Sequence, residues 1–262
     1  MIFPKDKKIG LALGSGAARG FAHIGVIKVL ERNNIPIDYV AGSSIGALIG
    51  GLYAATKDIM YVEDLALRTD WREMLSFIDP AFSSGFIVGS KIQKFIETSL
   101  HGNTFSTLRI PFSAVATNMN DGQPFAFFGD DLALAIRASI SMPFVFCPVE
   151  YNENYLTDAA LSMPVPVPLA RELGAEFVIA VDLDSDYFKY PRESVAGNLG
   201  EMGHDVAMLL SCHLARHNLK TADAVISPKL DDIKWNAFFS REKTAEIIRR
   251  GEEAMEMVLS EK

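Results

Sequence analysis

Short apolar runs bounded by glycine, serine or proline alternate along this chain with longer segments whose apolar residues recur every three or four positions, as buried strands threaded with helices do. Ile9-Gly10-Leu11-Ala12-Leu13 opens the series as a buried strand. Phe21 to Arg32 follows as a helix, with Ile24, Ile27, Val29 and Leu30 at roughly helical spacing. Tyr39-Val40-Ala41 is a second short strand, and the small apolar stretch Ala47 to Ala55 a second helix. Asp58 to Phe77 continues in helical pattern until Pro80, and Lys91 to Leu100 resumes it.

Pro111 to Thr117 reads as a core strand and Phe125 to Phe128 as another, joined through the turn at Asp121-Gly122. Asp131 to Ser141 is a helix ended by Pro143, followed by short strands at Val145 to Val149 and Tyr155 to Thr157. Pro164, Pro166 and Pro168 punctuate a loop and helix start, and Phe177 to Asp182 is an apolar strand of the buried parallel type. Val206 to Leu219 and Glu242 to Leu259 are helices flanking the strand Ala224-Val225-Ile226. Repeated strand–helix alternation predicts an α/β fold with a mostly parallel sheet. No repeat, low-complexity tract or linker interrupts it, so residues 1–262 are expected to form a single domain.

Composition narrows the functional classes. With 262 residues, 49% hydrophobic and 22% charged, the chain can bury a full core. A formal net charge of -8 argues against nonspecific nucleic-acid binding and against general attraction to anionic membranes. Cys147 and Cys212 are far apart and lack metal-type spacing, as expected of free thiols in a reducing compartment. The N-terminal Met1 to Lys8 lacks the apolar core of a signal peptide, and no stretch approaches the ~20 apolar residues of a transmembrane segment. A cytoplasmic protein without cofactor or metal is the expectation.

The chemistry concentrates in two small-residue turns and one aspartate. Gly42-Ser43-Ser44-Ile45-Gly46 lies between a strand and a helix, the layout of a nucleophile elbow, in which a sharp turn lifts the serine clear of the backbone. Ser44 is the candidate nucleophile, with Gly42 and Gly46 leaving room for the turn; the competing reading makes Ser43 and Ser44 simple helix caps. Gly14-Ser15-Gly16-Ala17-Ala18-Arg19-Gly20 also joins strand to helix and can offer successive backbone N–H groups to an anion. The dinucleotide fingerprint fails there, because the sixth position from Gly14 is Arg19, and no Gly-Lys-Ser or Gly-Lys-Thr follows for a Walker loop. An oxyanion hole fits better, since in a parallel sheet both loops emerge at the same carboxyl edge. Among the five histidines none sits in a glycine-bounded turn at a strand end, and His23 is expected to pack in its helix. Asp158 follows an apolar strand and precedes Ala159-Ala160, so it is the candidate base, although an aspartate before a turn often serves the turn alone. The glycine- and serine-rich but greasy stretch Ala81 to Val88 suits a mobile cover over an apolar cleft or, equally, a packed loop.

Taken in order, the loop Gly14 to Gly20 with Arg19, the elbow Gly42 to Gly46 and the motif Asp158-Ala159-Ala160 resemble the patatin-like phospholipase family. Ala22 to Val26 and Ala135 to Ser139 are similar to it as well, and the resemblance runs from about Ile9 to at least Asp182. It implies a three-layer α/β/α fold around a central mixed sheet, and a serine acyl hydrolase that cleaves fatty-acyl carboxylic esters of phospholipase A or lysophospholipase type through an acyl-enzyme. Ser44 and Asp158 would be its dyad, Gly14, Ser15, Gly16 and Ala17 its oxyanion hole, and Arg19 and Gly20 the support of that loop. The substrate would be a lipid or acyl ester, with Ala81 to Val88 contributing to acyl-chain binding or to transient contact with a lipid surface, and a thioesterase or acyltransferase would be the nearest chemical variant. A noncatalytic lipid-binding protein on the same fold is the alternative from another class, and a nucleotide-binding oxidoreductase a distant third. Ser15, Ala17 and Ala159 stand where the family usually has glycine. Alanine disfavours positive φ, so a shifted loop or aspartate turn is expected there.

Overall fold

A computed structural model describes residues 3–71, 89–143, 145–185, 199–233 and 237–260. Its centre is an eight-stranded sheet. In chain order the strands are β1 (Ile9–Leu13), β2 (Tyr39–Ser43), β3 (Phe112–Asn118), β4 (Pro124–Phe127), β5 (Val149–Tyr151), β6 (Asn154–Thr157), β7 (Phe177–Val181) and β8 (Ala224–Ile226). Their spatial order is β5-β6-β3-β2-β1-β7-β8, with β4 also paired to β3. The pairings β1–β2, β1–β7, β2–β3 and β7–β8 are parallel, whereas β3–β4, β3–β6 and β5–β6 are antiparallel.

The helices are α1 (Ala22–Arg32), α2 (Ile45–Thr56), α3 (Ile59–Arg68), α4 (Ser90–Ser99), α5 (Leu132–Ser139), α6 (Val167–Glu172), α7 (Leu199–Asn218) and α8 (Arg241–Ser260). Strand alternation explains why they form two layers, because successive side chains point to opposite faces. Ile9, Leu11 and Leu13 of β1, Val40 of β2, Phe112, Ala114 and Ala116 of β3 and Ile179 and Val181 of β7 join the larger core, together with α1, α2 and α8. Ala12, Ala41, Val115, Val178 and Ala180 face the other way, into a smaller core with Val167, Leu169 and Ala170 of α6 and Ala215 of α7. Mostly alanine on that second face lets a short helix pack closely. Both faces of β1 and β2 are therefore covered, as a parallel sheet requires.

Element boundaries follow local chemistry. Asp58 caps α3 by accepting a hydrogen bond from the Tyr61 amide. The expected strand Val145 to Val149 is displaced: Phe146 makes only an isolated bridge, and the strand begins at Val149, directly after Pro148, which has no N–H for a ladder. The expected cover Ala81 to Val88 and the break at Pro80 lie outside the described residues. Among the described residues no helix is long and apolar enough to cross a membrane.

Helices α1 and α8 cross at two glycines. A Cβ on Gly25 would lie 2.0 Å from the Ile248 carbonyl oxygen, and one on Gly251 2.1 Å from that of Ala22. Backbone cannot yield as a side chain tip can, so Gly251→Val should pry the pair apart. A loss of about 3 kcal/mol or more is expected, read as a lower urea midpoint with an unchanged slope. An unchanged midpoint would show that the two helices separate without cost.

Candidate active site

The loops after β1, β2 and β7 emerge at one carboxyl edge of the sheet, and the end of β6 meets them there through Asp158. Ser44 occupies the turn between β2 and α2 at φ 53 and ψ -123, a strained conformation for a residue with a Cβ. The turn is held from both sides. A Cβ on Gly42 would fall 2.4 Å from Ala47 Cα and one on Gly46 2.2 Å from the Leu13 carbonyl oxygen, so both glycines are required sterically. The Ser44 amide donates to Ser139 Oγ at 2.8 Å. Its hydroxyl does not cap α2; it donates to Asp158 Oδ2 at 2.6 Å. The simple capping role for Ser44 is thereby excluded.

Asp158 is 3% exposed and Ser44 7%. The Asp158 carboxylate also accepts from the Ala160 amide at 2.9 Å, through Oδ1. Its backbone is fixed by its amide donating to the Ser141 carbonyl at 3.0 Å and its carbonyl accepting from Thr117 Oγ1 at 2.8 Å. Burial raises its pKa to about 6, against the opposing pull of the hydrogen bonds from Ser44 and Ala160, and the nearby Asp184 charge adds to the rise. A carboxylate with that affinity for a proton can accept one from a hydroxyl and return it near neutral pH.

The loop after β1 departs in part from the expected set of donors. The Gly14 amide donates to the Val181 carbonyl at 3.1 Å and the Ser15 amide to the Pro164 carbonyl at 2.8 Å. Both are spent on holding the loop to the sheet edge, which removes Gly14 and Ser15 from the expected oxyanion donors. The amides of Gly16 and Ala17 have no acceptor among the described residues, and both residues line the cleft with Ser44 and Asp158. Gly16 has φ 152 and Ala17 φ 49. Ala17 therefore does carry the strain expected of alanine at a glycine position. Ala159 does not: it has no positive φ and sits fully buried in a short 3₁₀ turn, so its methyl costs nothing there.

Arg19 points away from the cleft. Its guanidinium donates to the Leu183 carbonyl at 2.8 Å and forms a buried ion pair with Asp184 at 2.7 Å. A Cβ on Gly20 would collide with Ile45 at 2.2 Å, so this glycine lets the loop pack against the start of α2. His23 is fully buried and donates from Nε2 to the Gly14 carbonyl at 2.8 Å; burial lowers its pKa to about 4 and keeps it neutral. It packs as expected and steadies the loop.

Asp184 is the residue that sequence reasoning missed. Buried just past β7, it accepts from Ser15 Oγ, from Ser211 Oγ of α7 at 2.9 Å and from Arg19. Its signal was its place: it lies beyond an apolar parallel strand, at the same sheet edge as the other loops. Ser139 and Ser141 were likewise unassigned. Arg137, stacked over the Phe146 ring at 4.9 Å, donates to Ser141 Oγ at 2.6 Å and so braces the segment that carries Asp158. The cleft itself offers about 50 Å³ of free space and is walled by Met142, Pro143, Leu161 and Met208.

Fold and site together define an α/β protein in which a serine at a strand-to-helix elbow meets a buried carboxylate at the carboxyl edge of a mostly parallel sheet. Residues 11–171 match the family model described as patatin-like phospholipase, and the chain belongs to that family. It is 36% identical over 178 residues to an uncharacterized NTE family protein of Mycobacterium tuberculosis, covering 68% of this chain and 49% of that protein. It is 31% identical over 186 residues to the lysophospholipase NTE1 of Debaryomyces hansenii, covering 69% of this chain and 12% of the fungal protein. The chain thus spans about half the length of the mycobacterial relative and about an eighth of the fungal one. Among solved structures, VipD from Legionella pneumophila superposes with a TM-score of 0.55 at 12% identity, covering 98% of this chain and 67% of VipD. The type III effector protein ExoU gives 0.54 at 15% identity, covering 98% of this chain and 53% of ExoU. At such identities the likeness is one of fold.

Proposed function

We propose that this chain is a serine lipid acyl hydrolase that cleaves fatty-acyl carboxylic esters, of phospholipase A or lysophospholipase type, through a Ser44–Asp158 dyad. The observation that carries the reading is the 2.6 Å hydrogen bond from Ser44 Oγ to Asp158 Oδ2 beside two uncommitted backbone amides. Membership of the patatin-like phospholipase family and a relative named a lysophospholipase support the choice of substrate class.

Ser44 Oγ attacks the ester carbonyl carbon as its proton passes to Asp158 Oδ2. The oxyanion develops against the amides of Gly16 and Ala17 at the mouth of the loop, and the N-terminus of α2 adds its partial positive charge. Each such donor is worth about 3 kcal/mol in other hydrolases. Collapse expels the alkoxide, which takes the proton from Asp158 and leaves an acyl ester on Ser44. Water then gives a proton to Asp158 and attacks that ester; the second tetrahedral intermediate breaks to free fatty acid, and the proton returns to Ser44. Met142 and Met208, with flexible apolar side chains, wall the cleft where the acyl chain would lie. Cys147 and Cys212 are not in a disulfide, which favours the reducing cytoplasm as its compartment.

Fatty-acid release from lysophosphatidylcholine, and hydrolysis of p-nitrophenyl butyrate, test the reading; a pure, folded wild type that releases nothing from either would refute it. The pH dependence is fixed by the base. Asp158 works as a carboxylate and its pKa is raised to about 6, so kcat/KM should climb with pH through that value and level off above it. A profile that stays flat from about pH 4 to pH 8 would exclude Asp158 as the base.

A further inference from the structure

Ser44 and Asp158 stand 114 residues apart in the chain and meet directly, in one hydrogen bond. A third segment, the end of α5, touches both. Ser139 is the last residue of α5, and its Oγ accepts from the Ser44 amide at 2.8 Å. Two residues on, the Ser141 carbonyl accepts from the Asp158 amide at 3.0 Å and from Thr157 Oγ1 at 2.8 Å. The turn between these contacts is closed on itself, because the Ile140 amide donates to the Ile136 carbonyl and the Ser141 amide to the Ala138 carbonyl, both at 3.1 Å. Ser139 and Ser141 are fully buried, so bulk water does not compete for either contact.

Neither element that flanks Ser44 pairs its amide. The ladder of β2 ends at Ser43, opposite Val115, and α2 begins at Ile45, so this N–H falls between sheet and helix. We propose that Ser139 is a positioning residue for ester hydrolysis: by binding the Ser44 amide from the same turn that holds Asp158, it keeps the strained elbow in place and Ser44 Oγ aimed at Asp158 Oδ2. The inference rests on the reading of Ser44 and Asp158 as the hydrolytic dyad. Ser139 acts through Ser44 and has no part in the bond changes. Without its Oγ the Ser44 amide is left buried and unpaired. Rotation of the Ser43–Ser44 peptide relieves both that and the positive φ of 53, and it carries the hydroxyl away from the carboxylate. A displacement of about 1 Å at a reacting group can lower a rate by about a hundredfold.

The test compares Ser139→Ala with Ser113→Ala in the full chain. Ser113 of β3 is equally buried and its hydroxyl has no partner among the described residues, so its loss reports the removal of a buried oxygen alone. On p-nitrophenyl butyrate, Ser139→Ala should lower kcat by about tenfold to a hundredfold with KM within about threefold. Labelling by a fluorophosphonate probe, which reacts with activated serines, should slow by a similar factor. Ser113→Ala should leave both rates within about twofold. A second readout separates aim from loosened packing. The hydrogen bond from Ser44 holds the Asp158 pKa down, while the neighbouring Asp184, paired with Arg19, is untouched by the substitution. The midpoint of kcat/KM against pH should therefore move above the wild-type value of about 6 in Ser139→Ala. Ser139→Thr keeps the acceptor oxygen and should keep the wild-type midpoint. A folded Ser139→Ala with wild-type kcat and midpoint would overturn the proposal, as would equal losses in the two alanine variants or a threonine variant that shifts like alanine. A wild type that labels at Ser44 in a Ser139-dependent way yet hydrolyses no ester would refute the hydrolase reading and leave the positioning role standing; one that does neither would overturn both.

Discussion

Ser44→Ala is expected to lower kcat for ester hydrolysis by about ten-thousand-fold or more. The substitution removes the one hydroxyl that the Asp158 carboxylate binds at 2.6 Å, so the covalent step has no nucleophile. Residual turnover would come from the Gly16 and Ala17 amides acting on a bound ester with water as attacker. The fold should survive, because the elbow is held by Gly42, Gly46 and the Ser44 backbone amide, none of which changes. Matching circular dichroism spectra, with hydrolysis of p-nitrophenyl butyrate falling to background, are the expected pair of results. A folded variant that keeps more than about a tenth of wild-type kcat would exclude Ser44.

Asp158→Asn should cost about a thousand-fold or more in kcat, since the amide can still accept the Ser44 hydrogen bond but cannot take the proton. Stability should move the opposite way. The folded-state pKa of Asp158 is raised from 3.8 to about 6, so burial disfavours the carboxylate. Its contribution to wild-type stability is complete below about pH 4 and is lost as pH rises through about 6. Asparagine is neutral throughout. At pH 8 the variant is therefore expected to be more stable by on the order of 2 kcal/mol, with the difference vanishing near pH 4. Urea unfolding at both pH values checks this. A variant less stable than wild type at pH 8 would mean that the Asp158 charge is compensated in the folded protein.

Such opposed effects on activity and stability are expected where function needs a buried, poorly solvated charge. Part of that site was legible in the sequence. The elbow was, because glycines on either side of a serine between strand and helix can be demanded only by close backbone, and the structure puts Leu13 and Ala47 there. Asp158 was legible because it ends an apolar strand and is followed by two alanines. The state of the Gly14 and Ser15 amides was not: it depends on the carbonyls of Val181 and Pro164, about 150 or more residues away along the chain. Asp184 and Ser139 escaped for the same reason, since their roles are hydrogen bonds to distant loops; Arg137 escaped because bracing Ser141, four residues on, matters only once the Ser141 carbonyl meets the distant Asp158 amide. In the fold, β1, β2, β3 and β7 were readable as apolar runs, whereas β5 began late because Pro148 breaks the expected strand. The two methyls at glycine positions diverged because φ is set by the turn around them: Ala17 is forced to 49° and Ala159 is not.

The most direct test of the account is labelling with a fluorophosphonate probe, read by intact mass and peptide mapping on wild type, Ser44→Ala and Asp158→Asn. Such a probe captures only a serine whose proton is accepted as it attacks. The account predicts a single adduct on Ser44 in wild type, none in Ser44→Ala and strongly slowed labelling in Asp158→Asn. A folded wild type that stays unlabelled, or labels with equal speed when Asp158 is asparagine, would contradict it.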